Sequence, residues 1–299
     1  MTLFRPTDLH AFLREQGIHA KKGLSQNFLI DGNIVQKIVD TAEISEGDLV
    51  LEIGPGPGAL TQALLKRGAI VSAVEMDPNF AQELHRLGEQ LEVHCGDILE
   101  FPLLEFLQRQ PKKIKVVANL PYHITTPILT RFLPLHQYVE SLTIMVQKEF
   151  ADRMKAEKNT PEYSSFTLFL QFYASATKNF TVSPNCFYPK PKVQSSVVHC
   201  KLHPPLLEPE KTESFFQITR TAFGKRRKML RSSLKDLYTP CLIEEALSAI
   251  GHSPTARPEE LGIEEFIAVL NALNNKKTPL SPRLPLSPLP EQRDSRCRI

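Results

Sequence analysis

Cysteine is sparse and unclustered in this sequence: Cys95, Cys186, Cys200, Cys241 and Cys297 show no C-x-x-C pair and no metal-ligand spacing. That argues against a disulfide framework and a zinc site, and fits free thiols in a reducing cytosol. Nothing resembling a secretory signal opens the chain, because MTLFRPTDLHAFLREQG carries charge throughout and has no sustained apolar core. The most apolar long stretch, 163–176, is interrupted by Ser, Thr and Gln and is too short to span a membrane. No long internal repeat is visible. Net charge is small as well, with 36 Lys+Arg against 33 Asp+Glu in 299 residues, a formal +3. Taken alone, that balance speaks against a nucleic-acid partner, but a total carries no information about distribution.

What is present describes a globular protein, with 41% hydrophobic and 23% charged residues and enough length for one large domain or two ordinary ones. Up to about residue 202, short β-branched runs at 49–53, 70–74, 91–94, 114–118 and 142–146 alternate with amphipathic stretches. Two of these stretches are 59–67 and 78–87, the latter with proline in its first turn. The alternation predicts βαβ units, hence a mostly parallel Rossmann-like α/β sheet with helices on both faces. The runs at 179–182 and 193–202 predict an antiparallel hairpin on the sheet edge. His203, Pro204, Pro205 and Pro209 mark a linker over 203–210. Residues 211–275 show helical spacing only, in Phe215/Phe216/Ile218/Thr219/Phe223 and Phe266/Val269/Leu270/Leu273, and predict a small all-α domain. Prolines at 279, 282, 285 and 288 suit polyproline II, so 276–299 is expected to be a disordered tail.

The chemistry begins at Glu52-Ile53-Gly54-Pro55-Gly56-Pro57-Gly58-Ala59, which reads as a strand, a glycine loop and a helix start. Gly54 and Gly56 allow a sharp turn and a ligand lying against bare N–H groups. Glu75, at the end of the next strand, is placed to accept hydrogen bonds from both hydroxyls of a ribose. Loop and acid together specify an adenosine-type cofactor. The loop satisfies both the dinucleotide pattern G-x-G-x-x-A and the E-x-G-x-G-x-G pattern of S-adenosylmethionine enzymes. Two prolines remove N–H donors that a pyrophosphate would want, which favours the methyltransferase. Asp97 follows the third strand, where it can accept from an adenine amino group or simply close a turn or cap a helix.

Asn119-Leu120-Pro121-Tyr122 follows the fourth strand. The exocyclic N6 of adenine is a poor nucleophile, its lone pair being delocalised into the ring. Two acceptors, the Asn119 side-chain oxygen and the Leu120 or Pro121 carbonyl, would pull that nitrogen toward tetrahedral geometry. Pro121 stiffens the loop, and Tyr122 offers a face on which the base stacks. Transfer from a sulfonium is then governed by positioning, without a metal. In the hairpin loop, Phe187 is a candidate for the other face of a flipped base, with Lys190 and Lys192 meeting phosphate; the competing reading puts Phe187 in the core.

These residues carry a resemblance. Gln26-Asn27-Phe28-Leu29, the Glu52 loop, Glu75-Met76-Asp77, Gly96-Asp97, Asn119-Leu120-Pro121-Tyr122 and Gln147-Lys148-Glu149 occur in order. Phe187-x-Pro189-x-Pro191-Lys192-Val193-x-Ser195 and Arg220-x-Ala222-Phe223-x-x-Arg226-Arg227-Lys228-x-Leu230-Arg231 follow. The set resembles the 16S (small-subunit) rRNA adenine-N6,N6-dimethyltransferase family linked to kasugamycin sensitivity, over roughly 19–275. The resemblance implies dimethylation of two adjacent adenosines near the 3′ end of small-subunit rRNA late in ribosome biogenesis. S-adenosylmethionine would contact Asn27, Leu29, Gly54, Glu75, Asp97 and Asn119. A helix capped by Asp31 accounts for the segment after Leu29 nearly as well. Ser25 stands where the family carries Gly, and His123 where it commonly carries Asn.

Between Arg220 and Lys235 lie seven basic residues and no acid. On one continuous helix Arg220, Arg227, Lys228, Arg231 and Lys235 would share an arc of about 100°, predicting an RNA-binding stripe that Arg226 joins. The partner expected is small-subunit rRNA in a pre-30S particle, met by a cytoplasmic monomer with no membrane or metal involvement. The alternatives are a large-subunit rRNA methyltransferase of the macrolide-resistance type, a non-catalytic ribosome-assembly factor on the same fold, and a dehydrogenase. The tail holds six basic and two acidic residues, so the positive net charge belongs to it and the remainder is close to neutral.

Overall fold

The computed structural model describes residues 6–15, 17, 26–225 and 227–275. Ser25, Arg226 and the tail at 276–299 lie outside the described residues, so the expectations placed on them have no structural counterpart. The chain divides into two compact units, Met1–Thr212 and Glu213–Ile299.

In the first unit the elements are α1 (Pro6–Glu15), β1 (Phe28–Leu29), α2 (Gly32–Thr41), β2 (Leu49–Ile53), α3 (Ala59–Lys66), β3 (Ile70–Glu75), α4 (Pro78–Leu84) and β4 (Leu91–Cys95). They continue with α5 (Leu103–Gln108), β5 (Ile114–Asn119), α6 (Thr125–Phe132), β6 (Val139–Gln147), α7 (Lys148–Met154), α8 (Ser165–Tyr173), β7 (Ala174–Val182), β8 (Phe187–Tyr188) and β9 (Ser195–Leu202). Seven strands form one sheet in the order β4-β3-β2-β5-β6-β9-β7. The first five are parallel, and β9 runs antiparallel to both β6 and β7. This is the mixed Rossmann-like sheet that the alternation predicts.

Burial explains which runs became which strands. Val50, Leu51 and Ile53 of β2 are at most 2% exposed, because helices cover both faces of the sheet centre. Between buried ends, the edge strand β7 alternates half-buried with exposed positions, as a strand with one solvated face must. It begins at Ala174, five residues before the predicted start, since polar side chains on its open face broke the apolar signal. The apolar stretch at 163–176 resolves into α8, opened by a capping box between Ser164 and Thr167, followed directly by β7. Helix α4 ends at Leu84 and a 3₁₀ turn completes the predicted span to Leu87. Asp31 caps α2, accepting from the N–H groups of Asn33 and Ile34 at 2.9 and 3.3 Å, and Val35, Ile38 and Val39 form the buried face.

Strand order reverses at β2, with β3 on one side and β5 on the other. The crevice beyond the carboxyl ends of β2 and β5 is the switch point where such sheets bind ligands. It lies between the glycine loop and Asn119. Beside it β1 pairs with β8 in a separate two-stranded ribbon, Phe28 opposite Tyr188 and Leu29 opposite Phe187.

Helix α9 (Pro209–Gly224) begins inside the predicted linker, proline serving as its first residue. In the second unit α10 (Leu230–Ser233), α11 (Pro240–Ala249) and α12 (Ile263–Asn275) follow. Among the described residues of that unit every longer element is helical. Leu230, Leu234, Ile243, Leu247, Phe266, Val269 and Leu270 are at most 1% exposed and make its core.

Candidate active site

The glycine loop turns from β2 into α3 through three residues with positive φ: Gly54 at 65°, Gly56 at 55° and Gly58 at 95°. A Cβ on Gly56 would stand 3.1 Å from the Phe28 ring, and one on Gly58 would stand 2.7 Å from Leu87 Cδ1. Those two glycines are required by packing as well as by conformation. At Gly54 a Cβ would meet nothing within 4 Å, because that residue fronts an open cavity of about 290 Å³.

Glu75 lines this cavity at the end of β3. Its Oε2 accepts from the Gly56 N–H at 2.9 Å and its Oε1 from the Asp77 N–H at 2.8 Å, which fixes the carboxylate. Burial nevertheless raises its pKa, with those two bonds opposing the rise. Glu52, also in the lining, is 1% exposed, and its Oε2 finds no partner among the described residues. Burial, with the neighbouring Glu75 charge adding to it, pushes the Glu52 carboxyl up to about 8. Asp97 enters from the loop after β4, Oδ1 accepting from the Leu99 N–H at 2.8 Å. The turn-closing reading of Asp97 is therefore realised, and the residue lines the cavity besides.

At the far wall stand Asn119, Leu120, Pro121 and Tyr122. The Asn119 amide nitrogen donates to the Asn27 carbonyl at 2.9 Å, which assigns the amide and leaves Oδ1 as the oxygen offered elsewhere. Asn27 and Leu29 line the same cavity, so the segment before α2 is both a wall and a support. Ile124 N–H donates to the Pro121 carbonyl at 3.2 Å and Thr125 Oγ1 approaches it at 3.4 Å. Of the two carbonyls considered from sequence, Leu120 is then the better second acceptor. Tyr122 opens a three-residue 3₁₀ turn and its hydroxyl lies 3.0 Å from Ser195 Oγ.

Two expectations need correction. Phe187 is 3% exposed and packs in a core cluster with Phe28, Leu29, Val182 and Val197; it does not line the cavity. It sits in β8 opposite Leu29, and its burial matches the core reading of the sequence. Tyr188, Pro189, Lys190, Lys192, Val193 and Gln194 are exposed in that loop. The single basic helix does not exist either. Helix α9 ends at Gly224, a turn follows, and α10 starts at Leu230, so the helical arc has no physical counterpart. Gly224 supplies the break, being the poorest helix former present apart from proline. Arg231 bonds Glu244 at 2.6 Å and Lys225 bonds Asp236 at 3.0 Å, while Arg220, Arg227, Lys228 and Lys235 remain exposed.

Sequence reasoning gave no role to Met76 or Ile98 and noted His123 only as a departure from the family, yet all three are in the lining. Met76 is 54% exposed directly after Glu75, and Ile98 directly follows Asp97. An apolar residue immediately after each strand-end acid was the available signal. The lining as a whole fits S-adenosylmethionine: Glu75 would suit its ribose, Asp97 with Met76 and Ile98 would suit its adenine, and bare Gly54 leaves room where the ligand would enter. Among the described residues no cluster of His, Cys, Asp or Glu could hold a metal, and no helix is long and apolar enough to cross a membrane.

Comparison with known proteins agrees with this geometry. The family model for ribosomal RNA adenine dimethylase matches residues 17–275. A ribosomal RNA small subunit methyltransferase A from Protochlamydia amoebophila is 52% identical over 281 residues, covering 91% of this chain and 98% of the relative. Among solved structures, the 23S rRNA methyltransferase ErmE aligns with a TM-score of 0.67 at 26% identity, over 83% of this chain and 99% of ErmE. A dimethyladenosine transferase from Plasmodium falciparum gives the same TM-score and identity, over 83% and 98%.

Proposed function

The chain belongs to the ribosomal RNA adenine dimethylase family, and on that premise we propose that it methylates N6 of two adjacent adenosines in the 3′-terminal hairpin of 16S rRNA. Each becomes N6,N6-dimethyladenosine late in small-subunit assembly. S-adenosylmethionine supplies a methyl group activated by its sulfonium. Everything else falls to the chain's own residues.

The observation that carries the chemistry is the Asn119 amide. With Nδ2 committed to the Asn27 carbonyl, Oδ1 is the atom presented to a substrate N–H. Together with the Leu120 carbonyl it pulls the N6–H bonds toward tetrahedral geometry and so localises the nitrogen lone pair on the methyl donor's side. Tyr122 stacks on the extruded base. Glu75 and Asp97 orient the cofactor, so the reaction proceeds by alignment of nucleophile and methyl carbon. No strong base is needed, because the N6 proton is lost only after the nitrogen has become cationic.

The choice of ribosomal subunit rests on sequence relatives. ErmE shares the fold at 26% identity, whereas a relative named for the small subunit stands at 52%. Arg220, Arg227, Lys228 and Lys235, with Lys190 and Lys192 of the β8–β9 loop, are the exposed cations we assign to rRNA phosphate. The reading carries with it a cytoplasmic monomer acting on the pre-30S particle.

The test is incubation with labelled S-adenosylmethionine and undermethylated small subunits, followed by mapping of the modified bases. Label is expected on two adjacent adenosines near the 3′ end. Asn119→Ala is expected to lose at least 100-fold in transfer while retaining RNA binding. Label on large-subunit RNA instead would move the protein to the ErmE-type activity, and wild-type turnover by Asn119→Ala would remove the amide from the mechanism.

A further inference from the structure

Tyr122 is the only member of its tetrapeptide whose work depends on the orientation of a ring, yet its backbone belongs to a short 3₁₀ turn outside the sheet. Rotation about two side-chain torsions would swing that ring off the base. What restrains it comes from 73 residues downstream: Ser195 Oγ, 3.0 Å from the Tyr122 hydroxyl. Ser195 is 1% exposed and opens β9, held between Gln147 of β6 and Val182 of β7. Its neighbour Ser196 is 0% exposed and points to the opposite face of the sheet, where its hydroxyl finds no partner among the described residues. Two adjacent buried serines thus differ in one respect, and it is Ser195 whose hydroxyl reaches the site.

We propose, resting on the function given above, that Ser195 is a positioning residue for methyl transfer: its hydroxyl locks the Tyr122 ring in the plane that stacks on the target base. It touches neither cofactor nor substrate and acts through Tyr122 alone. Rigidity comes from the strand, because β9 is hydrogen-bonded on both sides, whereas Tyr122 follows a proline loop. A second tie stiffens the junction, the Lys148 N–H donating to the Gln194 carbonyl at 3.0 Å. The chain holds both reacting-site side chains from outside their own loop, Asn119 through Asn27 and Tyr122 through Ser195.

The experiment is a double-mutant cycle on the full chain, read as single-turnover methyl transfer to undermethylated small subunits at saturating cofactor. Ser195→Ala and Tyr122→Phe are each expected to slow transfer about tenfold, the effect of one lost hydrogen bond. The double variant is expected to be no slower than either single one. S-adenosylmethionine affinity is expected to be unchanged in all three, and Ser195→Thr, which keeps the hydroxyl, is expected to restore most of the rate. A purely structural serine would give losses that multiply. Multiplied losses, or wild-type turnover by Ser195→Ala, would overturn the proposal.

An RNA-free reading separates this from the function itself. The protein has six tyrosines, so the labelled Tyr122 ring can be assigned by its disappearance in Tyr122→Phe. Ser195→Ala is expected to shift that resonance, and an unmoved resonance would overturn the restraint. If the wild type fails to methylate small-subunit RNA while the resonance shifts, the function is wrong and the restraint stands.

Discussion

Two carboxyl groups meet beneath the glycine loop, and the chain solvates them unequally. Glu75 receives N–H groups from Gly56 and Asp77, so its charge is solvated by the chain. Glu52, fully buried with one oxygen unmatched among the described residues, is the group that keeps a proton, up to a pKa of about 8. The consequence for stability has a definite sign. Between the unfolded value of 4.5 and about 8, the unfolded chain releases the Glu52 proton while the folded chain retains it. Stability therefore falls as pH rises through that window. Glu52→Gln, neutral at every pH, is expected to gain on the wild type between pH 5 and pH 8, by an amount on the order of 4 kcal/mol. Urea denaturation of both proteins at the two pH values measures this, and a pH-independent difference would mean that Glu52 ionises normally.

At the scale of elements, the site depends on strands whose carboxyl ends must stay in register. β5 carries Asn119 at one end and a buried lysine at the other. Lys115 Nζ donates to the Glu43 carbonyl at 2.6 Å and to Asp48 Oδ2 at 2.9 Å, joining β5 to the turn before β2. Burial works to raise the Asp48 pKa, but bonds from Lys115 and the Ser45 N–H outweigh it and hold the carboxyl below its usual range. Lys115→Met would leave that carboxylate short of its cation. It is expected to destabilise the protein by about 3 kcal/mol, read from urea midpoints at pH 7; a loss under about 0.5 kcal/mol would make the pair incidental. Elements covered on both faces, such as β2, were legible as unbroken apolar runs. β7 was legible only in part, because half of its residues face water and the sheet edge tolerates Lys178 and Asn179. The helix expected to carry the whole basic stripe was misread because spacing was propagated through Gly224, where the real helix stops.

For the molecule as a whole, charge placement outranks charge total. Acids of the second unit, Glu244 and Asp236, engage Arg231 of the stripe and the nearby Lys225, while Arg227 and Lys228 sit exposed in the turn between α9 and α10. Replacing Arg227 and Lys228 with Gln is expected to weaken RNA binding and to lower the slope of log affinity against log salt by about one per side chain. Filter binding across a salt series tests this. An unchanged slope would show that the turn faces solvent only.

The sequence by itself determined what is local: the glycine loop, the strand-end acids Glu75 and Asp97, the Asn119 tetrapeptide, and their order along an alternating chain. Each is readable because its parts are neighbours in sequence and a period or a turn fixes their geometry. Tertiary structure alone decided which partner each group took. It buried Phe187, divided the basic stripe, turned the Asn119 amide toward a carbonyl 92 residues away and set Ser195 against Tyr122 across 73. Contacts at those separations follow from strand order and sheet register, which no local periodicity encodes.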